Sequence, residues 1–196
     1  MKKILIYLTI LPILCIGLMT SALPTSPSPL KDEVLQKIIL PIPKNPEEKN
    51  YLGLSGAGTF KIPQIKAKVV FIEIFSMYCP YCQGDAPKIN ELYQRIENDP
   101  DLKTKIKMIG IGAGNSPFEV EVFKKNYQVL FPLFPDKDFV VHKAFGEPRT
   151  PYFIIVKIND DKSYKIVHSQ LGGFPGAEPF LELILEASGL KQEDEP

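Results

Sequence analysis

The sequence predicts an α/β fold in which a central mixed β-sheet is flanked by helices on both faces. Two nearly continuous apolar runs, residues 68–75 and 105–113, are each followed by a segment with helical spacing of apolar residues. Unbroken apolar runs of this length are typical of strands that are buried on both faces. Two further apolar runs near the C-terminus are joined by the polar segment 159–162, which indicates an antiparallel hairpin that completes the sheet.

The N-terminal part is predicted to lie largely outside this domain. Residues 1–22 combine the charged start MKK with an apolar run and small residues, which predicts a cleaved export signal, with an uncleaved membrane anchor as the alternative. Residues 23–50 are rich in proline, serine and charge and are interpreted as a linker with a short helical piece at 31–40. The segment 51–62 alternates around a glycine-rich turn and predicts an N-terminal β-hairpin.

Helices are predicted after the buried strands and at the end of the chain. They are expected at residues 80–98, 116–128, 138–145 and 177–190, and the last two strands at 151–158 and 163–171. The second helix opens with Ser116, Pro117 and Glu119, the pattern of a capping box with a proline start. The domain is predicted to span residues 51–190, and residues 191–196 form an acidic tail.

The composition limits the possible function classes. Hydrophobic residues make up 44% of the 196-residue chain and charged residues 23%, as in ordinary globular proteins. Basic and acidic residues number 23 each, so no positive field points to a nucleic-acid partner. Cys15 lies within the predicted export signal, which leaves one close pair, Cys79 and Cys82. Because a disulfide scaffold needs more cysteines than this, the pair favours chemistry over structural cross-linking.

The pair lies in the segment Cys-Pro-Tyr-Cys, where a buried strand is predicted to end and a helix to begin. Pro80 suits the first helical turn, because no amide donor is needed there. The helix N-terminus would direct its N–H groups and the positive end of its dipole at the Cys79 sulfur and stabilise the thiolate. Cys79 is therefore predicted to attack a disulfide, and Cys82, one turn further on, to resolve the mixed disulfide.

Two other interpretations of the pair remain open. A structural zinc site needs four ligands, and the only histidines available to complete one are His142 and His168, so no metal is predicted. Both histidines lie among apolar residues and are interpreted as structural or solvent-facing. The other alternative is an inert pair of cysteines, which leaves the position of the pair between a buried strand and a helix without an explanation.

The residues around the pair resemble the thioredoxin superfamily, in particular the exported TlpA/ResA-type thioredoxins. Glu73, six residues before Cys79, falls where that family has a buried acid beneath the active site. Pro87 falls on the family's helix-kinking proline, and Asp85 matches an acidic residue common in the TlpA branch. Thr150 and Pro151, directly before a predicted strand, match the cis-proline loop.

The resemblance implies a thioredoxin fold over roughly residues 51–190. The 69 residues from Cys82 to Pro151 leave room for the strand–helix insert that TlpA-type proteins carry before the cis-proline. One departure is Tyr78, because many thioredoxins have tryptophan directly before the first cysteine. The surroundings of the pair also resemble the DsbA oxidase branch, although the segment before the cis-proline is too short for that branch's helical domain.

The family implies an extracytoplasmic thiol–disulfide oxidoreductase that acts as a reductant and needs neither metal nor organic cofactor. Glu73 would carry protons to and from Cys82. Substrate contacts are expected from Thr150, Pro151, Pro80 and Tyr81. The implied partners are protein thiols and disulfides and an upstream redox partner such as a membrane reductase, in a process such as cytochrome c maturation. No nucleic-acid partner is expected, and association with a membrane is expected only through an N-terminal anchor.

Three functional alternatives remain open from the sequence. The first is a thioredoxin-like binding or chaperone module, which would serve cytochrome c or metal-site assembly without turnover. The second is a thiol peroxidase, although the peroxiredoxin pattern wants proline and threonine where this chain has Ile72 and Ser76. The third is a glutaredoxin, which also uses Cys-Pro-Tyr-Cys but is a shorter protein.

Overall fold

The computed structural model describes residues 32–193, so the predicted export signal at 1–22 lies outside the described residues. The strands are β1 (Ile39–Pro41), β2 (Thr59–Lys61), β3 (Val69–Phe75), β4 (Ile106–Ala113), β5 (Leu133–Asp136), β6 (Tyr152–Ile158) and β7 (Tyr164–Leu171). The α-helices are α1 (Pro46–Tyr51), α2 (Pro80–Asn98), α3 (Leu102–Lys105), α4 (Pro117–Asn126), α5 (Val140–Ala144), α6 (Ala177–Ser188) and α7 (Leu190–Glu193). Short 3-10 helices cover Asp32–Lys37 and Ile62–Gln64.

The central sheet has the strand order β5-β4-β3-β6-β7 and is mixed. The middle strand, β3, runs parallel to β4 and antiparallel to β6. Every residue of β3 and of β4 is buried, as unbroken apolar runs predict. The predicted C-terminal hairpin is the antiparallel pair β6 and β7. The mixed sheet inferred from the sequence is therefore confirmed.

The two faces of the sheet carry separate hydrophobic clusters. Alternate residues of β3 point to opposite faces, so Phe71 and Phe75 pack with α2, α4 and α6, whereas Ile72 packs with α5 and the N-terminal segment. Aromatic rings reinforce the first cluster, for example Phe75 against Phe123 with ring centroids 4.6 Å apart. Glu73 has the parity of Phe71 and Phe75, which places it on the face that α2 covers.

Residues 32–50 belong to the domain, so the interpretation of 23–50 as a linker is wrong for this stretch. Leu35 and Ile38 are fully buried, and Leu40 is 2% exposed. These side chains cover the sheet face opposite α2. The free energy gained by burying them offsets the conformational entropy that the segment loses when it becomes ordered. The predicted helical piece ends at Lys37, because the chain then enters β1.

An N-terminal antiparallel pair is present, but its first strand lies upstream of the predicted position. Leu40 of β1 lies opposite Phe60 of β2. The prediction that the first strand of the hairpin lies within 51–62 is wrong, because α1 ends at Tyr51 and residues 52–58 form turns, bends and irregular chain. This helix is started by Asn45, whose side chain accepts a hydrogen bond from the Glu47 N–H at 2.8 Å.

The chain between α4 and Pro151 contains the insert that the resemblance predicts. Here β5 extends the sheet parallel to β4, and α5 follows it. At the C-terminus α6 ends at Ser188 and is capped by Gly189, which has the left-handed φ of +78° typical of a helix C-cap. The predicted acidic tail begins as the short helix α7, and residues 194–196 lie outside the described residues.

None of the helices within residues 32–193 combines the length and the apolar character that a bilayer-spanning segment requires.

Candidate active site

Cys79 lies at the junction between β3 and α2 and is the N-cap residue of α2. Its Sγ accepts a hydrogen bond from the backbone N–H of Cys82 at 3.3 Å. Its thiol donates a hydrogen bond to the backbone carbonyl of Thr150, also at 3.3 Å. The sulfur therefore lies where the helix offers its unpaired amides, as the sequence predicts, and touches the loop before β6.

A tight turn leads into this N-cap. The Cys79 N–H donates to the carbonyl of Ser76 at 3.0 Å and closes the turn. Inside it, the Met77 N–H donates to Oδ1 of Asn115 at 2.8 Å. The Met77 carbonyl accepts from Nε2 of Gln83 at 2.7 Å. Two side-chain amides thus hold the two peptide groups on either side of Met77.

The pKa of Cys79 is the balance of opposing influences. Partial burial raises it, but hydrogen bonds from the side chains of Cys82 and Thr150 and from the backbone N–H groups of Cys82 and Tyr81 lower it, and the net shift is downward. A lowered pKa increases the thiolate fraction at neutral pH, and the thiolate is the form that attacks disulfides.

Cys82 has the opposite character, although it lies only one helical turn away. Its side chain is fully buried, and no disulfide joins it to Cys79. Burial raises the pKa of Cys82 strongly, and the hydrogen bond to Cys79 and the charge of Glu73 raise it further. Cys82 therefore stays protonated until a base removes its proton.

Glu73 is the buried acid beneath this pair. It is 3% exposed, and its Oε1 has no hydrogen-bond partner among the described residues. Burial raises the pKa of Glu73 to about 8, with smaller contributions from the charges of Asp85 and Cys79. Asp85 itself is paired with Lys88 at 3.1 Å. Glu73 can thus change its protonation state near neutral pH.

The remaining predicted residues surround the nucleophile from two sides. The Thr150–Pro151 peptide bond is cis, and the Thr150 carbonyl contacts the Cys79 thiol. Pro80 and Tyr81 lie on the solvent side of the pair, and Tyr81 is 77% exposed. Pro87 lies inside α2, as the resemblance predicts.

An open groove of about 630 Å³ lies beside the turn on the side of the cis-proline loop. Its walls include Tyr78, Phe139, Arg149 and Thr150. Phe139 sits at a left-handed φ of +58°, and its ring occupies the space above Gly114, where an added Cβ would come within 2.3 Å of Cζ. Gly114 therefore allows the ring to form this wall.

The predicted capping box of α4 faces the same turn. The Ser116 side chain accepts from the Glu119 N–H at 3.3 Å, and Glu119 Oε2 accepts from the Ser116 N–H at 2.7 Å. The hydroxyl of Tyr78 donates a hydrogen bond to the other oxygen of Glu119. This bond, followed by those with Ser116, lowers the pKa of Glu119 to about 2.

The side chains that hold the turn have no recognisable signal in the sequence. Asn115 is separated from Met77 by 38 positions, and nothing in the local pattern links them. Tyr78 stands out in the sequence only because it replaces a tryptophan, and nothing in the local pattern marks Gln83. The two histidines make local contacts: Nε2 of His142 bonds the Pro148 carbonyl at 2.8 Å, and Nε2 of His168 bonds Oε1 of Gln170 at 2.8 Å.

The model of the AhpC/TSA family matches residues 47–166, which is more than half of the chain and includes both cysteines. The chain belongs to the AhpC/TSA family. Among its relatives, the thiol-disulfide oxidoreductase ResA of Halalkalibacterium halodurans is 26% identical over 128 residues, 64% of this chain and 68% of the relative. The protein of the same name from Bacillus thuringiensis subsp. konkukian is 27% identical over 113 residues, which covers 57% of this chain and only 60% of the relative. The predicted likeness to ResA-type proteins is thereby confirmed.

Solved structures similar to this AhpC/TSA chain agree on the fold. A putative thiol:disulfide interchange protein DsbE from Chlorobium tepidum aligns with a TM-score of 0.56 and 14% identity, covering 78% of this chain and 94% of that one. StoA from Bacillus subtilis aligns with a TM-score of 0.52 and 19% identity, covering 74% and 96%. The thioredoxin domain of a thiol-disulfide oxidoreductase from Bacteroides vulgatus gives 0.51 and 14%, covering 65% and 87%. The predicted thioredoxin fold is therefore confirmed.

Proposed function

We propose that this AhpC/TSA chain is a thiol–disulfide oxidoreductase that exchanges disulfides with protein substrates through Cys79 and Cys82. One observation carries the proposal. The Cys79 sulfur lies at the N-cap of α2 and accepts a hydrogen bond from the Cys82 N–H at 3.3 Å. It also contacts the loop that carries the cis-proline. This arrangement favours the thiolate at one of the two cysteines and leaves the other as a buried thiol.

In the first step the Cys79 thiolate attacks one sulfur of a substrate disulfide. A bond forms between that sulfur and Cys79 Sγ, the substrate S–S bond breaks, and the second substrate sulfur leaves as a thiolate that takes up a proton. The amides at the start of α2 stabilise the attacking anion before the step, because the helix N-terminus carries a partial positive charge.

In the second step Cys82 loses its proton and attacks Cys79 Sγ. The substrate's first sulfur then leaves as a thiolate, and a Cys79–Cys82 disulfide forms, so the substrate gains two electrons and the chain loses two. Glu73 is the proposed proton acceptor, because its charge already influences Cys82 and its pKa of about 8 allows ionisation near neutral pH. An upstream thiol partner must afterwards reduce the disulfide.

The substrate segment is proposed to bind where the exposed side of the pair meets the cis-proline loop. Thr150 and Pro151 lie next to Cys79, and Pro80 and Tyr81 lie on its solvent side. A segment extended along the loop could form strand-like hydrogen bonds to the backbone there. The groove with Tyr78 and Phe139 continues this surface.

The chain is proposed to act as a reductant. The direction rests on the resemblance to TlpA/ResA-type proteins. A negative charge on Glu73, present once the pH passes its pKa of about 8, also disfavours a thiolate at Cys79 and so favours the disulfide over the dithiol. A protein that prefers its own disulfide passes electrons to its substrates. The reduction potential, measured against glutathione buffers, tests this direction: a value near that of strong oxidants would reverse it.

The place of action is proposed to be outside the cytoplasm, because residues 1–22 carry the features of an export signal. Sequencing the N-terminus of the protein recovered from the cell envelope tests this directly. A mature protein that begins near residue 23 supports cleavage, and an intact start supports the anchored form. Retention of the whole chain in the cytoplasm would contradict the proposal.

The activity is tested by reduction of insulin disulfides with dithiothreitol as electron donor. Wild-type protein is expected to accelerate the reaction, and Cys82→Ser is expected to accumulate a mixed disulfide with its substrate, because the resolving thiol is absent. No acceleration by folded wild-type protein, together with tight binding of apoprotein or metal, would favour a binding module. Thiol consumption that requires peroxide, without insulin reduction, would favour a thiol peroxidase.

A further inference from the structure

The turn that precedes the nucleophile is held from both sides by residues outside the Cys-Pro-Tyr-Cys segment. Oδ1 of Asn115, in the loop between β4 and α4, accepts a hydrogen bond from the Met77 N–H at 2.8 Å. Gln83, from the second turn of α2, donates to the Met77 carbonyl at 2.7 Å. The two bonds fix successive peptide groups, so rotation of either peptide breaks a hydrogen bond.

This turn determines where the Cys79 sulfur lies. Met77 and Tyr78 are its central residues, and the Cys79 N–H closes it on the Ser76 carbonyl. Cys79 then has the extended backbone of an N-cap residue, with φ −87° and ψ 111°, which turns its side chain back over the first amides of α2. A rotated turn would carry the sulfur away from the Cys82 N–H.

The side chain of Asn115 has little room to move. The residue is fully buried, and its backbone N–H donates to the Gly112 carbonyl at 3.0 Å. An added Cβ at Gly112 would lie 3.1 Å from Oδ1 of Asn115, so little space is left for the side chain to move. A buried amide in a fixed position is a precise acceptor for the Met77 N–H.

We propose that Asn115 and Gln83 are positioning residues that hold the Met77 turn and thereby keep the Cys79 sulfur over the amides of α2. The inference rests on the proposed function, because it assigns both residues to the activation of its nucleophile. Neither residue touches the reacting sulfur atoms; each acts through the Met77 peptide groups.

Gln83→Met is the first test, because methionine has a similar length but no N–H donor, and Gln83 is only partly buried. The pKa of Cys79 is read from the pH dependence of its alkylation by iodoacetamide in the reduced protein. We expect it to rise by about 0.5 to 1 unit, so that alkylation at pH 6 slows about three- to tenfold. The reduction potential should fall, because the thiolate loses stabilisation.

Asn90→Leu is the matched control. Asn90 is also an amide on α2 that bonds backbone groups of another segment: its Nδ2 donates to the carbonyls of Tyr127 at 2.9 Å and Gln128 at 3.0 Å. Its loss should lower the thermal unfolding midpoint without changing the alkylation profile. A loss of stability alone therefore cannot account for a shift that is confined to Gln83→Met.

Asn115→Ala tests the other side of the turn independently. It leaves the Met77 N–H without its partner and should raise the pKa of Cys79 in the same direction. Because both changes loosen one turn, the double variant should shift the pKa by less than the sum of the single shifts.

The inference is overturned if the wild type is active but Gln83→Met or Asn115→Ala has the same alkylation profile as the wild type. It is also overturned if Asn90→Leu shifts the profile as much as Gln83→Met does. The proposed function fails in a different way, namely if the wild-type protein neither reduces insulin nor alkylates faster than a free cysteine. The two failures are therefore distinguishable.

Discussion

The N-termini of α2 and α4 have the same construction but opposite chemistry. Each helix follows a fully buried parallel strand, β3 or β4, and each starts with an N-cap residue followed by proline. At α4 the N-cap is Ser116 and the capping box is completed by Glu119. At α2 the N-cap is Cys79, and its first turn contains no acidic residue.

The difference shows how a structural unit becomes a reactive one. Oxygen atoms satisfy the amides at the start of α4, and the Glu119 carboxylate lies where the helix dipole stabilises negative charge. At α2 the same field acts on a sulfur that becomes an anion only when it loses its proton. The absence of a carboxylate from the first turn of α2 leaves that field to the Cys79 thiolate.

The strands beneath the two helices differ as well. Glu73 of β3 lies opposite Gly110 of β4 in the sheet register. A buried carboxyl therefore lies below the reactive helix start, whereas the corresponding position on the neighbouring strand has no side chain. An added Cβ at Gly110 would come within 2.4 Å of Leu133 Cδ2, so that position has no room for one.

The largest expected effect comes from making α2 start as α4 does. Cys79→Ser supplies a hydroxyl N-cap, which should hold the free energy of unfolding or raise it by up to about 1 kcal/mol. Insulin reduction should fall at least about a thousandfold, because a serine hydroxyl stays protonated and forms no disulfide. Parallel urea unfolding and insulin assays measure both. Substantial activity in the folded variant would show that Cys79 is not the nucleophile.

The next largest effect concerns the buried acid, and Glu73→Gln removes its titration. Burial raises the Glu73 pKa from 4.5 to about 8, so between these values the folded protein holds a proton that the unfolded chain has released. The free energy of unfolding of the wild type should therefore fall by an amount on the order of a few kcal/mol as pH rises from 4.5 to 8. Glu73→Gln should lack this contribution to the pH dependence, because glutamine does not titrate. Denaturant unfolding at several pH values measures this, and parallel profiles would contradict it.

A smaller effect is expected when a carboxylate is added to the first turn of α2. Tyr81→Glu places a negative charge near the Cys79 thiolate at an exposed position and should raise the pKa of Cys79 by up to about 1 unit. Tyr81→Gln is the neutral control and should leave the pKa close to that of the wild type. Alkylation rates across pH report both variants. Equal profiles would mean that the field at this helix start does not govern the thiolate.

The smallest effect is expected at the other helix start. Ser116→Ala removes the cap of α4 and should lower the free energy of unfolding by about 1 kcal/mol. Because the variant keeps the Tyr78–Glu119 and Met77–Asn115 hydrogen bonds at the turn before Cys79, insulin reduction per folded molecule should change less than twofold. A loss of activity comparable to that of Cys79→Ser would mean that the two helix starts do not work separately.

Both helix starts could be predicted from the sequence, because their determinants are local. A buried apolar run, an N-cap residue and a proline follow one another within a few positions. The same locality made the cysteine pair recognisable. Glu73 was identified through the family resemblance, because it lies six residues before Cys79, where that family has a buried acid.

Other features depend on contacts between distant segments and left no local signal. Leu35, Ile38 and Leu40 lie in a proline-rich, charged stretch, and they are buried because one face of the sheet would otherwise be uncovered. Asn115 contacts Met77 only because β3 and β4 end side by side. Register and loop geometry create such pairs, and a single sequence does not contain them as a pattern.

The central claim is that the start of α2 stabilises an anion at Cys79, and the pKa of this thiol tests it most directly. In the reduced wild-type protein, alkylation by iodoacetamide should follow a single ionisation with a midpoint below about 8.5, the value for a free cysteine. Cys82 should stay unreactive over the same range, because burial raises its pKa. A midpoint at or above the free value, in folded protein, would contradict the account.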